Sequence, residues 1–429
     1  MSRRLFGTDG VRGAAGEVVT AELALRLGHA VTRELEAQRP RVLVIRDTRE
    51  SGPMLESALA AGIAAAGGDV LLGGVLPTPA APLLLARYEL DLAAVISASH
   101  NPYADNGIKF FGRDGFKLSD DAEAAIEARL DEPVAGTRIG RIDALHGTEE
   151  DYLRALHTRF EALDLTGVNV LLDCANGATH KVAPEAFRRL GATVTAVADA
   201  PDGRNINAGC GSTHVDALDP AGHDVAFAFD GDGDRVLAKD RTGAVVDGDE
   251  LLALAALHRR PEGVAVTVMT NFGFHAAMRE AGIPVEITQV GDRYVLEALR
   301  AKGWPLGGEQ SGHLIDMGFV PSGDGIAAAL LTLEALGGAD LAERQAMEKL
   351  PQRLVNVRVP DRDGAMASEE LREAVDRESA ALEGRGRVLV RPSGTEQLVR
   401  VMVEAPTAEE ADAVCRRLVD IVESSATRA

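Results

Sequence analysis

The sequence predicts an α/β protein with four domains around a central cleft: three similar α/β/α domains with mixed sheets, followed by an α+β domain with an antiparallel sheet. Three observations carry this prediction. The chain has 429 residues, and a domain usually holds roughly 100 to 200 residues. A strand, a helix and a second strand follow one another three times, and this pattern changes after about residue 354.

Each of the three repeats starts with an apolar strand and continues through a polar loop and a helix to a glycine. The first strands are predicted at 42–45, 170–172 and 264–268, and the second strands follow Gly68, Gly191 and Gly282. Helices commonly end at glycine, and parallel strands need a crossover of this kind. The repeats therefore predict parallel βαβ units.

Each repeat also carries a polar motif at a similar distance from its first strand. Ser99, Asp230 and Glu309 mark these three motifs. Ligands bind at the strand ends of open α/β sheets. We therefore expect the three loops to face one shared cleft.

The C-terminal part of the chain follows a different plan. Strands are predicted at 354–359, 387–390 and 398–403, with a helix at 368–382 and a last helix opened by a capping box at Thr407 and Glu410. The predicted domains are 1–148, 149–250, 251–355 and 356–429. Linkers are expected near 131–140, 247–251 and 351–360.

Composition narrows the classes of function. The formal net charge of −21 argues against nucleic acid and anionic membranes as partners, because clustered Lys and Arg hold phosphate backbones. No apolar run reaches the roughly 18 residues that span a membrane, and no signal peptide is evident, so we expect a cytoplasmic protein. The three cysteines have neither metal-finger nor disulfide spacing. The sequence does not fix the oligomeric state, and a homodimer is kept as a candidate.

The strongest metal signal is the sequence DGDGDR at 230–235. Asp230, Asp232 and Asp234 alternate with glycines after the apolar run 225–229. In an extended segment alternate residues point to one side, and Gly231 and Gly233 let the backbone curl so that the three carboxylates converge on one ion. Carboxylate oxygens favour Mg²⁺, with Ca²⁺ and Mn²⁺ as competitors. An EF-hand is excluded, since its twelfth position would be Arg241.

A candidate nucleophile follows the apolar run 92–96, in the sequence SASHNP at 97–102. A serine hydroxyl needs a cation or a base to react, and Ser99 carrying a phosphate would complete a metal shell. Ser97 is the alternative nucleophile. His100 either bonds locally or assists proton transfer. Together with the aspartates, this serine suggests phosphoryl transfer.

Cationic groups that suit a phosphate occur in three places. Arg12 lies in a glycine-rich loop, Lys109 follows ten residues after Ser99, and a turn near the C-terminus offers an anion nest. The residues of that turn are Arg391, Ser393, Gly394 and Thr395, with Arg400 as a second guanidinium. The loop with Glu309, Ser311 and His313 suits sugar hydroxyls and proton transfer.

With these motifs in place, the chain resembles the α-D-phosphohexomutase superfamily and is most similar to its phosphoglucosamine mutase branch. The resemblance covers essentially the whole chain. Its motifs are GTDGVRG at 7–13, SASHNP at 97–102, DCANGA at 173–178, CGSTH at 210–214, DGDGDR at 230–235, VGDRYV at 290–295, GEQSGH at 308–313 and RPSGTE at 391–396.

The resemblance implies roles for these residues. Ser99 would be the phosphoserine, and Asp230, Asp232 and Asp234 would hold one Mg²⁺ with a phosphate oxygen on Ser99. The 309–313 loop would select the sugar. The turn with Arg391, Ser393, Gly394 and Thr395 would hold the phosphate that is not reacting. Arg12, Lys109 and Arg235 would attend the reacting end.

The implied enzyme is an isomerase that interconverts glucosamine 6-phosphate and glucosamine 1-phosphate through phosphoserine and glucosamine 1,6-bisphosphate, a step toward UDP-N-acetylglucosamine and peptidoglycan precursors. Gln310 resembles the glucosamine branch, whereas relatives acting on glucose and mannose phosphates usually have Met there. His313 or His100 would carry the proton. The alternatives are a mutase for glucose or mannose phosphates, a Mg²⁺-dependent sugar phosphatase, and a noncatalytic sugar-phosphate sensor.

Overall fold

The computed structural model describes residues 5–7, 9–134, 136, 138–393 and 397–428. The chain divides into two compact units, each of which is discontinuous in sequence. Unit 1 consists of Met1–Met269 and Ile283–Arg344, and unit 2 of Thr270–Gly282 and Gln345–Ala429. Unit 1 contains the three repeated segments except for one helix, and unit 2 contains that helix and the C-terminal sheet.

The first sheet of unit 1 has six strands in the order β1-β5-β4-β2-β3-β6. Strands β4, β2, β3 and β6 are parallel to one another. Strand β5 pairs antiparallel with β4, and β1 pairs antiparallel with β5 at the edge of the sheet. The strands are β1 (Val11–Ala14), β2 (Arg41–Arg46), β3 (Asp69–Val75), β4 (Leu92–Ile96), β5 (Asp105–Gly112) and β6 (Ile142–Ala144). The helices are α1 (Ala21–Glu34), α2 (Gly52–Ala65), α3 (Ala80–Tyr88) and α4 (Asp120–Ala128).

The second sheet has five strands in the order β11-β10-β9-β7-β8, of which β9, β7 and β8 are parallel. Its β9 is buried throughout and ends directly before the aspartate motif. The strands are β7 (Asn169–Asp173), β8 (Thr193–Val197), β9 (Val225–Phe229), β10 (Val236–Asp240) and β11 (Val245–Val246). The helices are α5 (Thr148–Arg159) and α6 (Val182–Arg189).

The third sheet has four strands in the order β13-β12-β14-β15, with only the β14–β15 pair antiparallel. The tight turn from β14 to β15 carries the predicted sugar loop. The strands are β12 (Val264–Thr267), β13 (Val285–Thr288), β14 (Leu306–Gly308) and β15 (Leu314–Asp316). The helices are α7 (Gly248–Arg259), α8 (Phe272–Ala281), α9 (Asp292–Lys302) and α10 (Gly325–Leu336).

Unit 2 is built on an antiparallel sheet in the order β16-β18-β17. One face of this sheet packs on helices through a core that includes Val401, Val403 and Leu418. The strands are β16 (Gln352–Arg358), β17 (Arg387–Pro392) and β18 (Leu398–Glu404). The helices are α11 (Arg362–Met366), α12 (Glu369–Ala381) and α13 (Ala408–Arg428).

A buried carboxylate ties α8 to this C-terminal sheet. Glu404, at the end of β18, is fully buried. Its Oε2 accepts the backbone N–H of Phe272 at 2.8 Å and the Nε–H of Arg387 at 2.7 Å. Asn271 caps α8 and donates to the carbonyl oxygen of Leu350 at 3.0 Å. These bonds explain why α8 belongs to unit 2.

The predicted sheet classes are confirmed: three mixed sheets and one antiparallel sheet. The Thr407 half of the predicted capping box forms, since Thr407 Oγ1 accepts the N–H of Glu410 at 3.2 Å, while the Glu410 carboxylate accepts hydrogen bonds from Arg385. Two of the expected linkers are wrong. Residues 247–251 form the cap and first turn of α7, and most of 351–360 is strand β16. Polar and proline residues suggested loops there, but Asp247 is a helix cap and the prolines flank the strand.

Candidate active site

Ser99 lies just beyond β4, with a side chain that is almost completely buried. Its Oγ donates a hydrogen bond to Asp230 Oδ2 at 2.5 Å, across 131 residues of chain. Its backbone φ of 50° lies in the left-handed region, which non-glycine residues seldom occupy. Such a conformation persists only where the surroundings hold it.

Hydrogen bonds to the preceding residues help to keep Ser99 in this backbone conformation. The N–H of Ser99 donates to Ser97 Oγ at 2.9 Å, and Ser97 Oγ–H donates to Asp47 Oδ2 at 2.6 Å. Both serines are buried, but their hydroxyls have different partners. The Ser97 hydroxyl positions the Ser99 backbone, whereas the Ser99 hydroxyl faces the aspartate motif.

Arg49 makes most of the hydrogen bonds that fix the Ser99 loop, and the sequence did not predict this role. Its guanidinium is completely buried beside Asp47, with Nε 2.9 Å from Asp47 Oδ2. It donates to the carbonyl oxygens of Ser99 at 2.9 Å, Asn101 at 2.8 Å and Asp105 at 3.0 Å, and also to that of Pro102. The available signal was the polar loop after β2, which ends at the same sheet edge as β4.

The aspartate motif is a tight turn, in which the backbone curls at the glycines as the sequence predicted. The Gly233 N–H donates to the Asp230 carbonyl oxygen at 3.1 Å, and Gly233 has a φ of 70°. A side chain at Gly231 would place its Cβ 2.6 Å from the Ser99 carbonyl oxygen. The carboxylates therefore converge because the glycines allow a turn and a close approach.

The three carboxylates fit a hard divalent cation. One oxygen from each of Asp230, Asp232 and Asp234 lies within 4.8 Å of the others, and all three side chains are buried. Among the described residues, Asp232 Oδ1 and Asp234 Oδ1 have no hydrogen-bond partner. Burial, then repulsion from Asp234 and Asp232, raises the pKa of Asp230 well above its usual range. A cation would relieve this repulsion.

Lys109 lies beside these carboxylates on β5. Its Nζ is 2.7 Å from Asp232 Oδ2 and 3.7 Å from Asp234 Oδ2. Burial acts to lower the pKa of Lys109, but the charges of Asp232 and Asp9 outweigh it and the pKa is raised. The ammonium is therefore charged and lies against the aspartate motif.

Two further predicted residues, Arg235 and His100, lie near Ser99 and the aspartate motif. Arg235 Nε is 3.8 Å from Asp234 Oδ1, and its Nη1 is 3.4 Å from His100 Nδ1. The same His100 nitrogen is 3.5 Å from Ser99 Oγ. Burial and the charge of Arg235 lower the pKa of His100. A neutral ring at this position can accept a proton at neutral pH.

Arg12 is held on β1 beside Asp9, to which it donates a hydrogen bond. Its Nε is buried without a partner among the described residues. Its positive charge contributes to lowering the pKa of His100 and of Asp232. Arg12 therefore belongs to the same electrostatic environment as the aspartate motif.

The predicted sugar loop contributes His313 to this site. Its Nε2 lies 3.8 Å from Asp234 Oδ2 and 3.6 Å from Asp292 Oδ2. The ring is buried, and neither ring nitrogen has a hydrogen-bond partner within the described part of the chain. Glu309 Oε1 accepts the Gly291 N–H at 3.1 Å, and Ser311 is exposed.

Gln310 points away from this cluster. Its side-chain Nε2 donates to Asp247 Oδ2 at 3.1 Å, and its backbone carbonyl oxygen accepts the Gly248 N–H at 3.1 Å. A Cβ at Gly248 would lie 2.1 Å from the Glu309 carbonyl oxygen. Gln310 therefore anchors the loop to the start of α7.

The C-terminal turn lies in unit 2. Arg391 and Arg400 face each other across β17 and β18, and burial, then the charge of Arg400, lowers the pKa of Arg391. Arg400 Nε is buried without a partner in the described residues. Ser393 is buried, and its carbonyl oxygen accepts Arg362 Nη1–H at 2.6 Å. Gly394 and Thr395 lie outside the described residues.

Unit 1 thus gathers the residues predicted for the reacting end in one place: Ser99, His100, Lys109, Asp230, Asp232, Asp234, Arg235 and His313. Within the described ranges, no helix has both the length and the apolar composition needed to cross a membrane.

Comparison with known proteins accounts for this arrangement. Four domain models of the phosphoglucomutase/phosphomannomutase family match successive parts of the chain. They are alpha/beta/alpha domain I at residues 3–135, domain II at 150–243, domain III at 247–357 and the C-terminal domain at 354–421.

Similarity to curated proteins identifies the branch of this family to which the chain belongs. A phosphoglucosamine mutase of Deinococcus deserti is 48% identical over 437 residues, and one of Nocardioides sp. is 51% identical over 445 residues. Each alignment covers 98% of this chain and 98% of the relative. The chain belongs to the phosphoglucosamine mutase family. It is therefore an isomerase of the phosphohexomutase type.

Solved structures of the family share this fold. A phosphoglucomutase/phosphomannomutase family protein of Burkholderia thailandensis has a TM-score of 0.84 at 25% identity, with 98% of each chain covered. An N-acetylphosphoglucosamine mutase of Aspergillus fumigatus, described in complex with GlcNAc-6P and magnesium, has a TM-score of 0.71 at 18% identity. That alignment covers 99% of this chain and 96% of the fungal one.

Proposed function

We propose that this protein interconverts glucosamine 6-phosphate and glucosamine 1-phosphate, with Ser99 carrying the phosphoryl group between turnovers. The observation that carries this proposal is the 2.5 Å hydrogen bond from Ser99 Oγ to Asp230 Oδ2, inside a trio of buried carboxylates. A hydroxyl placed against a hard-cation site is arranged for phosphoryl transfer. The two phosphoglucosamine mutase relatives support the choice of sugar.

We propose Mg²⁺ as the resident metal. Asp230, Asp232 and Asp234 would hold it, with an oxygen of the phosphate on Ser99. A bound Mg²⁺ stabilises negative charge on the transferring phosphoryl group and orients it. The partnerless carboxylate oxygens of Asp232 and Asp234 support this assignment.

The cationic side chains of the chain itself would neutralise the same charge. Lys109 is fixed 2.7 Å from Asp232, so its ammonium needs no reorganisation during transfer. Arg12 and Arg235 each keep one buried N–H without a partner among the described residues. These N–H groups suit phosphate oxygens.

The proposed reaction balances through one bisphosphate. The bond between phosphorus and Ser99 Oγ breaks while a bond to the sugar O1 forms, and the O1 proton leaves for a base as Oγ takes up a proton. Glucosamine 1,6-bisphosphate then turns end for end. The bond from phosphorus to O6 breaks, the bond to Oγ forms again, and O6 takes up the proton that Oγ releases.

His313 and His100 are the proposed proton carriers. His313 is buried without a hydrogen-bond partner among the described residues, and His100 Nδ1 is 3.5 Å from Ser99 Oγ. The lowered pKa of His100 suits a base more than an acid.

The remaining assignments are parts of the same proposal. Glu309 and Ser311 would bind sugar hydroxyls, while Arg391, Ser393, Gly394, Thr395 and Arg400 would hold the phosphate that is not reacting. The domain limits of 1–148, 149–250, 251–355 and 356–429, a cytoplasmic location and a homodimer also stay predictions.

Intact mass measurement of the purified protein tests the proposal most directly. We expect one phosphate per chain, located at Ser99 by fragmentation. Ser99→Ala should fold normally, carry no phosphate and lose turnover. Ser57→Ala is the matched control, because that exposed helical hydroxyl donates only to the Pro53 carbonyl oxygen. Phosphate on Ser99→Ala would move the nucleophile to Ser97.

Substrate comparison tests the choice of sugar. We expect glucosamine 6-phosphate to turn over faster than glucose 6-phosphate or mannose 6-phosphate. Faster turnover of either hexose phosphate would reassign the substrate. Release of inorganic phosphate without any isomer would instead indicate a phosphatase.

A further inference from the structure

The VGDRYV motif at 290–295 has no role in the reaction described so far. Its Asp292 is the first residue of α9, and its side chain is partly accessible. Asp292 Oδ2 lies 3.6 Å from His313 Nε2. The preceding Gly291 donates its N–H to Glu309 Oε1 at 3.1 Å. The motif therefore lies directly against both ends of the sugar loop.

The surroundings of Asp292 hold an ammonium group. Lys117 Nζ lies 2.5 Å from Asp292 Oδ2 and 2.5 Å from Asp9 Oδ1. Burial acts to lower the pKa of Lys117, but the charges of Asp292 and Asp9 outweigh it, and the pKa is raised. Lys117 and His313 both face Oδ2 of Asp292, which leaves Oδ1 as the oxygen for a ligand.

A second observation indicates that a ligand binds beside this carboxylate. His313 is buried, yet both of its ring nitrogens lack partners among the described residues. A buried polar group without a partner is costly unless a ligand or water supplies one. The open nitrogens of His313 and the carboxylate of Asp292 are therefore parts of one polar surface next to Glu309.

We propose that Asp292 determines specificity for an amino sugar by accepting a hydrogen bond from the protonated 2-amino group of the substrate. This inference rests on the proposed function and assigns a role that Gln310 cannot fill, since the Gln310 side chain is bonded to Asp247. Hydrogen bonds between charged groups are roughly twice as strong as neutral ones. A sugar with a neutral 2-hydroxyl would gain less from the same carboxylate.

The test compares two substrates on one variant, Asp292→Asn. The substitution keeps the shape of the side chain and removes its charge. We expect kcat/KM for glucosamine 6-phosphate to fall at least tenfold relative to kcat/KM for glucose 6-phosphate. Asp9→Asn is the matched control, because it removes the other carboxylate on Lys117 but has no contact with the sugar loop. It should lower both values by the same factor.

The outcomes separate this inference from the proposed function. If the wild-type protein does not turn over glucosamine 6-phosphate, the proposed function fails. If it does and Asp292→Asn keeps the wild-type ratio, the inference alone is overturned. An equal change of ratio in Asp9→Asn would also overturn it, because Lys117 would then be responsible. Should Asp292→Asn fold poorly, Asp292→Ser gives the same comparison, with the same expected fall of kcat/KM for glucosamine 6-phosphate relative to kcat/KM for glucose 6-phosphate.

Discussion

The aspartate turn at 230–234 and the arginine pair of the C-terminal sheet present the same physical situation with opposite charges. In the first, three buried carboxylates converge, and the pKa of Asp230 is raised well above its usual range. In the second, Arg391 and Arg400 face each other, and the pKa of Arg391 is lowered. In both places the scaffold holds like charges together. The comparison teaches that each region concentrates one sign of charge, which is consistent with the proposed cation at the first and the proposed phosphate at the second.

The surroundings of the two regions differ. Asp230 joins the aspartate turn to the Ser99 loop by a hydrogen bond. Arg49, which is paired with Asp47, fixes that loop through its backbone carbonyl oxygens. The arginine pair lies on two adjacent strands with partial exposure. The turn between them is supported by the bond from Arg362 to the Ser393 carbonyl oxygen and by the bond from the Ser393 N–H to the Leu398 carbonyl oxygen. We therefore expect changes near Ser99 to affect chemistry and folding, and changes near Arg400 to affect binding.

The largest effect is expected for Asp230→Asn. The variant removes one carboxylate charge from the metal site and leaves a single side-chain oxygen both to bind the cation and to accept from the Ser99 hydroxyl, so kcat should fall roughly 10²- to 10³-fold. Without metal the variant should be at least as stable as the wild type, because repulsion among the carboxylates is reduced. Thermal unfolding with and without Mg²⁺ measures this. An unchanged stabilisation by Mg²⁺ in the variant would remove the metal assignment.

The next effect is expected for Arg49→Met, which breaks a completely buried ion pair and four bonds to the Ser99 loop. We expect the free energy of unfolding to fall by about 3–5 kcal/mol, as measured by urea titration. Arg204→Met is the control, since its pair with Glu50 is exposed and such pairs contribute about 1 kcal/mol or less. Equal losses in the two variants would contradict the positioning role of Arg49.

A smaller effect is expected for Asp324, a buried carboxyl group that accepts hydrogen bonds but has a raised pKa. Asp324 accepts the hydroxyl of Tyr152 at 2.9 Å and caps α10, and burial raises its pKa to about 7. Because the folded state binds the proton more tightly than the unfolded state, Asp324 destabilises the fold increasingly as pH rises from about 4 to 7.

Asp324→Asn should therefore flatten the pH dependence of the unfolding free energy in that window, by on the order of 2 kcal/mol. Urea unfolding at several pH values between 4 and 8 measures the change. A wild-type and variant difference that is constant with pH would show that Asp324 is ionised throughout.

The smallest effect is expected for Arg400→Met. Loss of one guanidinium should raise KM for the sugar phosphate about tenfold, with a smaller change in kcat, because one charge-assisted bond to phosphate is worth about 1.4 kcal/mol or more. Arg353→Met is the control on the same sheet, where the arginine pairs with Asp412 and no kinetic change is expected. A loss confined to kcat would place Arg400 in the chemistry instead.

Local patterns in the sequence were sufficient to predict the sheets and the aspartate motif, but not the Asp247 helix cap. The strand before Ser99 and the strand before Asp230 are short, apolar and buried, so their ends could be placed. The glycines of the motif also indicated that the backbone curls there, and Gly233 does form a turn.

Residues that act through distant contacts could not be predicted in this way. Arg49 is one arginine in a polar loop, and its role depends on carbonyl oxygens about 50 residues further along the chain. Gln310 lies within the loop expected to select the sugar, but its side chain bonds Asp247. The two residues are separated by 63 positions, and no periodic pattern marks the pair.

The link from Glu404 to α8 has a consequence for exchanging parts between members of the family. A fragment beginning near residue 354 would leave this interior carboxylate without Phe272 and Asn271, two of the groups that surround it. Chimeras spliced at that point would keep Arg387 beside the carboxylate but lose the Phe272 and Asn271 donors, whereas those that also transplant 270–282 would keep all of these donors. The C-terminal sheet and α8 are thus best exchanged together, although 69 residues separate Gly282 from β16 along the chain.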